Sequence, residues 1–116
     1  MPRDYRLYLE DMLDAINKIT GYSQGMNLEK LHENPLIVDA VLYNLQIIGE
    51  AAKHLPEELR SRYPTIEWRK IFGLRDLIAH EYFGVSLEII WDILQNKLPD
   101  LREVVQQMLD LENDSG

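Results

Sequence analysis

The segment that decides the fold runs from Asn34 to Leu55 and reads NPLIVDAVLYNLQIIGEAAKHL. Asn34 can cap a helix here, and Pro35 suits the first helical position, where no backbone N–H is needed. Apolar residues then recur at three- and four-residue steps and form a wide face: Leu36, Ile37, Ala40, Val41, Leu45, Ile48, Ala51 and Ala52. A face this wide predicts a central helix, and the small residue Gly49 predicts close approach of a second helix.

Three more segments have helical periodicity. One runs from about residue 4 to residue 20, and Gly21 is expected to end it. Another is expected to begin at a cap on Thr65. Gly73 within it costs about 1 kcal/mol relative to alanine, which predicts tight packing or a nearby partner. The last segment is expected to be kinked or interrupted at Pro99, because proline removes a donor and clashes with the preceding turn.

Together these segments predict an all-α, up-and-down helical bundle of four main helices, with short helical turns at residues 28–31 and 56–62. The length of 116 residues suits one domain, expected over residues 1–112 and followed by a flexible tail at residues 113–116. The absence of cysteine excludes disulfides and thiolate metal sites. Neither a signal peptide nor a membrane-spanning run is visible, so the protein is expected to be soluble and cytoplasmic.

The net charge of −8 argues against a general nucleic-acid binder, because such affinity comes mainly from cations that meet phosphates. The charge is compatible with a nuclease that has a small, locally basic cleft. It also favours a separate partner that brings the substrate or restrains the protein. The three histidines have no metal-ligand spacing, so the sequence predicts no metal site.

The candidate catalytic residues lie together near the end of the third main helix. This stretch reads Arg75-Asp76-Leu77-Ile78-Ala79-His80-Glu81-Tyr82. Arginine can neutralise a phosphate with a planar fork of donors, and histidine can transfer protons near neutral pH. The combination predicts metal-free cleavage of a phosphodiester, with RNA as the expected substrate.

The spacing of these residues limits how they can meet. Asp76 and His80 are four residues apart and share a helix face, so Asp76 can orient the imidazole or the neighbouring Arg75. Arg75 and His80 are five residues apart and diverge by about 140° on a straight helix. One phosphate can therefore meet both only if the helix frays near His80 or if a second chain contributes residues.

The same stretch resembles the signature of HEPN-domain ribonucleases, R-φ-x3-H, in which φ is a polar residue. With Tyr82 it takes the RX4HXY form typical of HepT-like toxins. Further segments that resemble recurrent HepT segments lie at Asn44–Lys53, Trp68–Asp76 and Trp91–Leu94. The likeness spans about residues 6–109. The short motif alone is common by chance, but its combination with these segments is specific.

The resemblance implies a helical homodimer or higher oligomer that brings two motifs into one cleft and acts as a metal-independent endoribonuclease without a cofactor. The implied substrate is RNA, such as tRNA or mRNA. Arg75 and His80 would be catalytic, with Asp76 in support. In such type VII toxin–antitoxin systems, an MntA-like nucleotidyltransferase antitoxin transfers AMP to the motif tyrosine, here Tyr82, and blocks the cleft by bulk and charge.

Two other classes of function fit the sequence. One is a catalytically silent helical dimer that binds a nucleotidyltransferase through the motif. The other is an enzyme acting on nucleotides, or a nucleotide-binding module. Without the wider resemblance, a pair such as Arg75 and His80 near a helix end is more often an ion-pair or capping arrangement. His54 is expected to interact with the exposed carbonyls at the end of the second main helix.

Overall fold

The computed structural model describes residues 4–81, 84 and 86–115, without the side chains of residues 80, 81 and 113–115. In chain order the helices are α1 (Tyr5–Ser23), α2 (Leu28–His32), α3 (Pro35–Ala52), α4 (Glu57–Ser61), α5 (Trp68–Glu81), α6 (Leu87–Asp92) and α7 (Leu98–Ser115), with a π-helical turn at Ile93–Lys97. The long helices are α1, α3, α5 and α7. The described residues contain no strand, and the predicted all-α bundle of four main helices is confirmed.

Helix α3 is central, as its wide apolar face predicts. It packs against both α1 and α5, and α1 also packs against α7. Residues from all four long helices are buried in the core, among them Leu9, Met12, Ile16, Val41, Leu45, Ile48, Ile78, Leu101 and Met108. Burial of each such side chain contributes roughly 1.5–3 kcal/mol. Within the described ranges, none of the helices combines the length and the apolar character needed to cross a membrane.

The start of α3 follows the expected pattern with two differences. Asn34 is the N-cap residue and Pro35 the first helical residue, but the Asn34 amide donates a hydrogen bond of 2.7 Å to the Lys30 carbonyl instead of capping α3. Leu36, expected on the buried face, is 84% exposed, so that part of the prediction is wrong. Full burial begins only at Val41, and the apolar face of α3 therefore extends beyond the core.

Helix α1 runs past Gly21 and ends at Ser23, so the predicted end is wrong. The Ser23 hydroxyl donates a hydrogen bond of 2.9 Å to the Ile19 carbonyl within the last turn. The chain turns at Gly25, whose φ of 76° lies in the left-handed region that favours glycine. A glycine ends a helix where the backbone adopts this conformation, and Gly21 is instead part of the helix.

Helix α5 begins at Trp68, so the expected cap at Thr65 is wrong. Ile66 is buried in the core, and the Trp68 indole donates a hydrogen bond of 3.1 Å to the Tyr63 carbonyl. The chain therefore uses the turn before Trp68 to bury Ile66, and the helix starts only afterwards.

The final helical region is interrupted, as Pro99 predicts. The Ser86 hydroxyl caps α6. In the π-helical turn the Leu98 N–H donates to the Ile93 carbonyl, a step of five residues, and Pro99 follows as the second residue of α7. This wider turn relieves the clash that proline would cause in a continuous α-helix. Helix α7 continues to Ser115, beyond the domain boundary expected at residue 112.

Candidate active site

The site is built where α3 and α5 are in backbone contact, at Gly49. A Cβ atom on Gly49 would lie 2.9 Å from the Ile71 carbonyl oxygen and 3.1 Å from the Arg75 backbone nitrogen. Because only glycine fits there without displacement of the backbone, the predicted close approach at Gly49 is confirmed. The contact brings Glu50, the next residue of α3, beside Arg75, the first residue of the motif.

The Arg75 side chain lies between two carboxylates. Its Nε is 3.5 Å from Glu50 Oε2, and one terminal nitrogen is 3.6 Å from Asp76 Oδ1. These distances exceed those of ordinary hydrogen bonds, so the contacts are ion pairs. The Arg75 side chain is 52% exposed. The guanidinium is therefore restrained on two sides and still accessible to an anion from solvent.

The other motif residues are described only in part. The Asp76 side chain faces Arg75, one of the two partners that the sequence allows. His80 lies within α5, which ends one residue later at Glu81. Because His80 is still helical, its backbone position and that of Arg75 lie about 140° apart around the helix axis. The His80 side chain and the whole of Tyr82 lie outside the described residues, and their roles stay predictions.

A second contact continues from Glu50 to His54. His54 Nε2 is 3.9 Å from Glu50 Oε1. The His54 ring stacks on the Tyr8 ring of α1, with centroids 4.3 Å apart and planes inclined by 8°. The expected contact of the His54 side chain with carbonyls at the end of α3 is therefore wrong, because the ring packs on α1. The row from Tyr8 through His54 and Glu50 to Arg75 connects three helices.

Another face of α5 lines a groove of about 380 Å³ that also involves α6 and the π-helical turn. Gly73 lines this groove with Leu77 and Ile89. A Cβ atom on Gly73 would have no atom within 4 Å, so the predicted tight packing is wrong and the nearby partner stays a prediction. In the part of the chain that the structure describes, no group of three or more histidine, aspartate or glutamate residues could hold a metal ion.

Comparison with known proteins agrees with the motif. The family model described as ribonuclease HepT-like matches residues 12–108. The chain belongs to this family. The match includes all of α3 and α5, which carry Glu50 and Arg75, and the resemblance drawn from the sequence motif is confirmed.

Relatives of this HepT-like chain align over most of its length. One, named "Putative RNase", from Methanocaldococcus jannaschii, is 37% identical over 116 residues, covering 98% of this chain and 96% of the relative. A "Putative RNase" from Caldanaerobacter subterraneus subsp. tengcongensis is 36% identical over 107 residues, covering 92% and 96%. A "Probable ribonuclease HepT" from Thermococcus cleftensis is 33% identical over 102 residues, covering 88% and 93%. No solved structure matches the chain.

The sequence did not predict that Glu50 and His54 lie beside the HepT-like motif. Glu50 reaches Arg75 only through the packing of α3 on α5, which local spacing does not reveal. For His54 a signal was present, because it follows Glu50 by four residues, a spacing at which helical side chains meet.

Proposed function

We propose that this HepT-like chain is a metal-independent endoribonuclease, the toxin of a type VII toxin–antitoxin system. Arg75 and His80 are the proposed catalytic residues, and Asp76 supports them. The observation that carries the proposal is the accessible Arg75 guanidinium, oriented by Glu50 and Asp76 and five residues before the motif histidine. The proposed substrate is RNA such as tRNA or mRNA, in the cytoplasm, and no cofactor takes part.

The proposed reaction is an attack of the ribose 2′-oxygen on the adjacent phosphorus. The bond between phosphorus and the 5′-oxygen breaks, which leaves a 2′,3′-cyclic phosphate and a free 5′-hydroxyl. One His80 accepts the proton of the 2′-hydroxyl, and the His80 of a second copy donates a proton to the leaving 5′-oxygen. Arg75 stabilises the charge that grows on the non-bridging oxygens. DNA lacks the attacking hydroxyl and is not a substrate.

A second copy of the chain completes the proposed site, because Arg75 and His80 diverge by about 140° along one helix. An exposed stripe on α3 supports the place of contact. Leu36 is 84% exposed and Tyr43 is 64% exposed, and Glu50 follows Tyr43 at the same seven-residue step. Seven residues are nearly two turns, so these side chains share one face, and that face leads to Arg75. We propose this face as the contact between the two chains.

The proposed antitoxin is an MntA-like nucleotidyltransferase that modifies Tyr82. Its reaction joins the AMP phosphorus of ATP to the phenol oxygen and releases pyrophosphate. The added charge lies seven residues after Arg75 in the sequence, and it would repel an RNA phosphate bound at the motif. Intact mass after incubation with the enzyme and ATP should show one added AMP on the wild type and none on Tyr82→Phe. No addition to the wild type would contradict this part of the proposal.

A catalytically silent dimer that binds the nucleotidyltransferase is the second candidate. The two carboxylates next to Arg75, from Glu50 and Asp76, favour it, because they lower the positive potential that an RNA phosphate meets. In that case the purified protein would bind the nucleotidyltransferase and would not cleave RNA.

Cleavage of RNA by the purified protein in the presence of EDTA decides between these candidates. The wild type should cleave, and His80→Ala should cleave about 10²–10⁴-fold more slowly because proton transfer is lost. His32→Ala is the matched control. It removes a half-exposed histidine of α2 that lies 3.8 Å from Glu88, and it should cleave at the wild-type rate. Equal cleavage by the wild type and His80→Ala would contradict the catalytic proposal.

The same cleavage assay tests whether the site requires a second copy of the chain. Tyr43→Lys places a charge in the exposed stripe of α3 and should convert the dimer to a monomer, measured by light scattering, with loss of cleavage. Leu111→Lys, at a residue of α7 that is 47% exposed, should change neither property. A monomeric Tyr43→Lys protein that cleaves like the wild type would contradict a site shared between two chains.

A further inference from the structure

The Arg75 guanidinium is linked to α1 through a row of contacts that the proposed chemistry does not use. Glu50 directs one carboxylate oxygen to Arg75 Nε at 3.5 Å and the other to His54 Nε2 at 3.9 Å. The His54 ring in turn lies flat on Tyr8, with ring centroids 4.3 Å apart. The carboxylate is thus flanked on both sides, and the far end of the row rests on an aromatic side chain of another helix.

Stability does not account for this arrangement. The Arg75 and Glu50 side chains are about half exposed, and exposed ion pairs contribute roughly 0–1 kcal/mol to folding. Glu50 also weakens anion binding, because its charge repels a phosphate that approaches Arg75. Its favourable effect on the site is geometric. It restricts a long, flexible side chain before the substrate arrives, and such prior ordering lowers the entropy lost in the transition state.

We propose that Glu50 is a positioning residue for Arg75, and that His54, stacked on Tyr8, holds the Glu50 carboxylate in place. The inference rests on the ribonuclease activity proposed above. Glu50 faces Nε of Arg75, so the contact leaves the terminal nitrogens for the substrate, although Asp76 faces one of them. The backbone contact at Gly49 supports the role, because it holds the two helices at a constant separation beside this ion pair.

The substitution Glu50→Gln separates positioning from simple repulsion, because it keeps the shape of the side chain and removes its charge. We expect kcat for RNA cleavage to fall about ten- to hundredfold, in the range found when a catalytic group is slightly misplaced. The KM for RNA should stay equal or fall, because a negative charge near the phosphate is gone. A merely structural role would instead lower the Tm and leave the kcat of the folded protein unchanged.

The substitution His54→Ala tests the rest of the row. It should also lower kcat, but by a smaller factor than Glu50→Gln, about two- to threefold. The same change made in the Glu50→Gln background should have no further effect, because residues that act through one another are not additive. Glu103→Gln is the matched control. It removes an exposed carboxylate of α7 and should leave kcat and KM unchanged.

Nuclear magnetic resonance measures the restraint without RNA. The side-chain ¹⁵N order parameter of Arg75 Nε should fall in Glu50→Gln and in His54→Ala, and it should stay unchanged in Glu103→Gln. This readout reports on the motion of Arg75 itself and does not require activity.

The possible results distinguish this inference from the proposed function. If Arg75→Ala is inactive while Glu50→Gln keeps the wild-type kcat and Arg75 order parameter, positioning is overturned and the ribonuclease proposal stands. Additive losses from Glu50→Gln and His54→Ala would overturn the link through His54. If Arg75→Ala cleaves like the wild type, the proposed function is overturned together with the positioning role.

Discussion

Opposite ion-pair patterns lie just before the start of α5 and at its motif. Before the start, Glu67 lies between two lysines, with Lys70 Nζ at 2.8 Å and Lys97 Nζ at 3.3 Å. About two turns later, Arg75 lies between two carboxylates at 3.5 and 3.6 Å. The first pattern is an anion held by two cations, and the second is a cation held by two anions.

The two patterns differ in their distances and in the elements that they connect. Hydrogen bonds and charge from Lys70 and then Lys97 lower the pKa of Glu67, and the second pair ties the start of α5 to the π-helical turn. The Arg75 contacts are longer than hydrogen bonds and leave the guanidinium accessible. A phosphate can displace Asp76 from the terminal nitrogen while Glu50 stays at Nε, so the second pattern is compatible with the proposed anion binding.

The largest expected effect comes from removing one cation from each pattern. Arg75→Ala should lower the rate of RNA cleavage by about 100-fold or more, because the charge on the phosphoryl oxygens loses its stabilising partner. Lys70→Ala should leave the rate unchanged. Initial rates on one RNA measure both variants. Similar losses in both would mean that the overall charge of α5, and not the place of Arg75, supports cleavage.

A smaller effect is expected from alanine substitutions at two glycines. Gly49 of α3 contacts the backbone of α5, and Gly73 of α5 lines the groove on another face of that helix. Gly49→Ala forces a Cβ to within 2.9 Å of the Ile71 carbonyl and should lower the free energy of unfolding by about 1–3 kcal/mol. Gly73→Ala meets no atom within 4 Å and should raise it by up to about 1 kcal/mol, because alanine favours the helix. Urea unfolding measures both. A stable Gly49→Ala protein would contradict the close contact at the motif.

The smallest effect concerns the pH dependence of the Glu67 pairs. The pKa of Glu67 is lowered in the folded protein by Lys70 and Lys97, from an ordinary value of 4.5. A lowered carboxyl pKa stabilises the fold above the ordinary value, and the contribution is lost as pH falls through the folded value. Glu67→Gln should therefore be slightly less stable than the wild type at pH 7, and the difference should vanish in strongly acidic solution. Urea unfolding at both pH values checks this, and a difference that persists in acid would contradict the ion-pair explanation.

Much of the fold could be predicted from the sequence, because helical periodicity is a local property. The apolar steps of α3 and the break at Pro99 follow from residues within a few positions of each other. The helix ends were less predictable. The sequence pattern places the end of α1 at Gly21, whereas the left-handed backbone conformation lies at Gly25.

Of the candidate site, only the residues that are close together in the sequence could be predicted. Arg75 and Asp76 are adjacent and belong to a motif, so their proximity is given by the sequence. Glu50 lies 25 positions before Arg75 (75 − 50 = 25) and reaches it only because α3 and α5 touch at Gly49. The exposure of Leu36 is likewise a property of the assembled bundle, because periodicity shows which residues share a face and not how far a neighbouring helix covers that face.

The π-helical turn at Ile93–Lys97 sets the rotation of α7 relative to α6 about their common helical path. The turn accommodates one extra residue, which rotates the side chains of α7 by about 100° relative to those of α6. Deletion of the exposed Asn96 would cancel this offset and turn the buried side chain of either Ile90 or Leu101 toward solvent. The groove beside α5 is lined from both sides of the turn, by Ile89 and by Leu101, so its outline depends on the length of this one loop of helix.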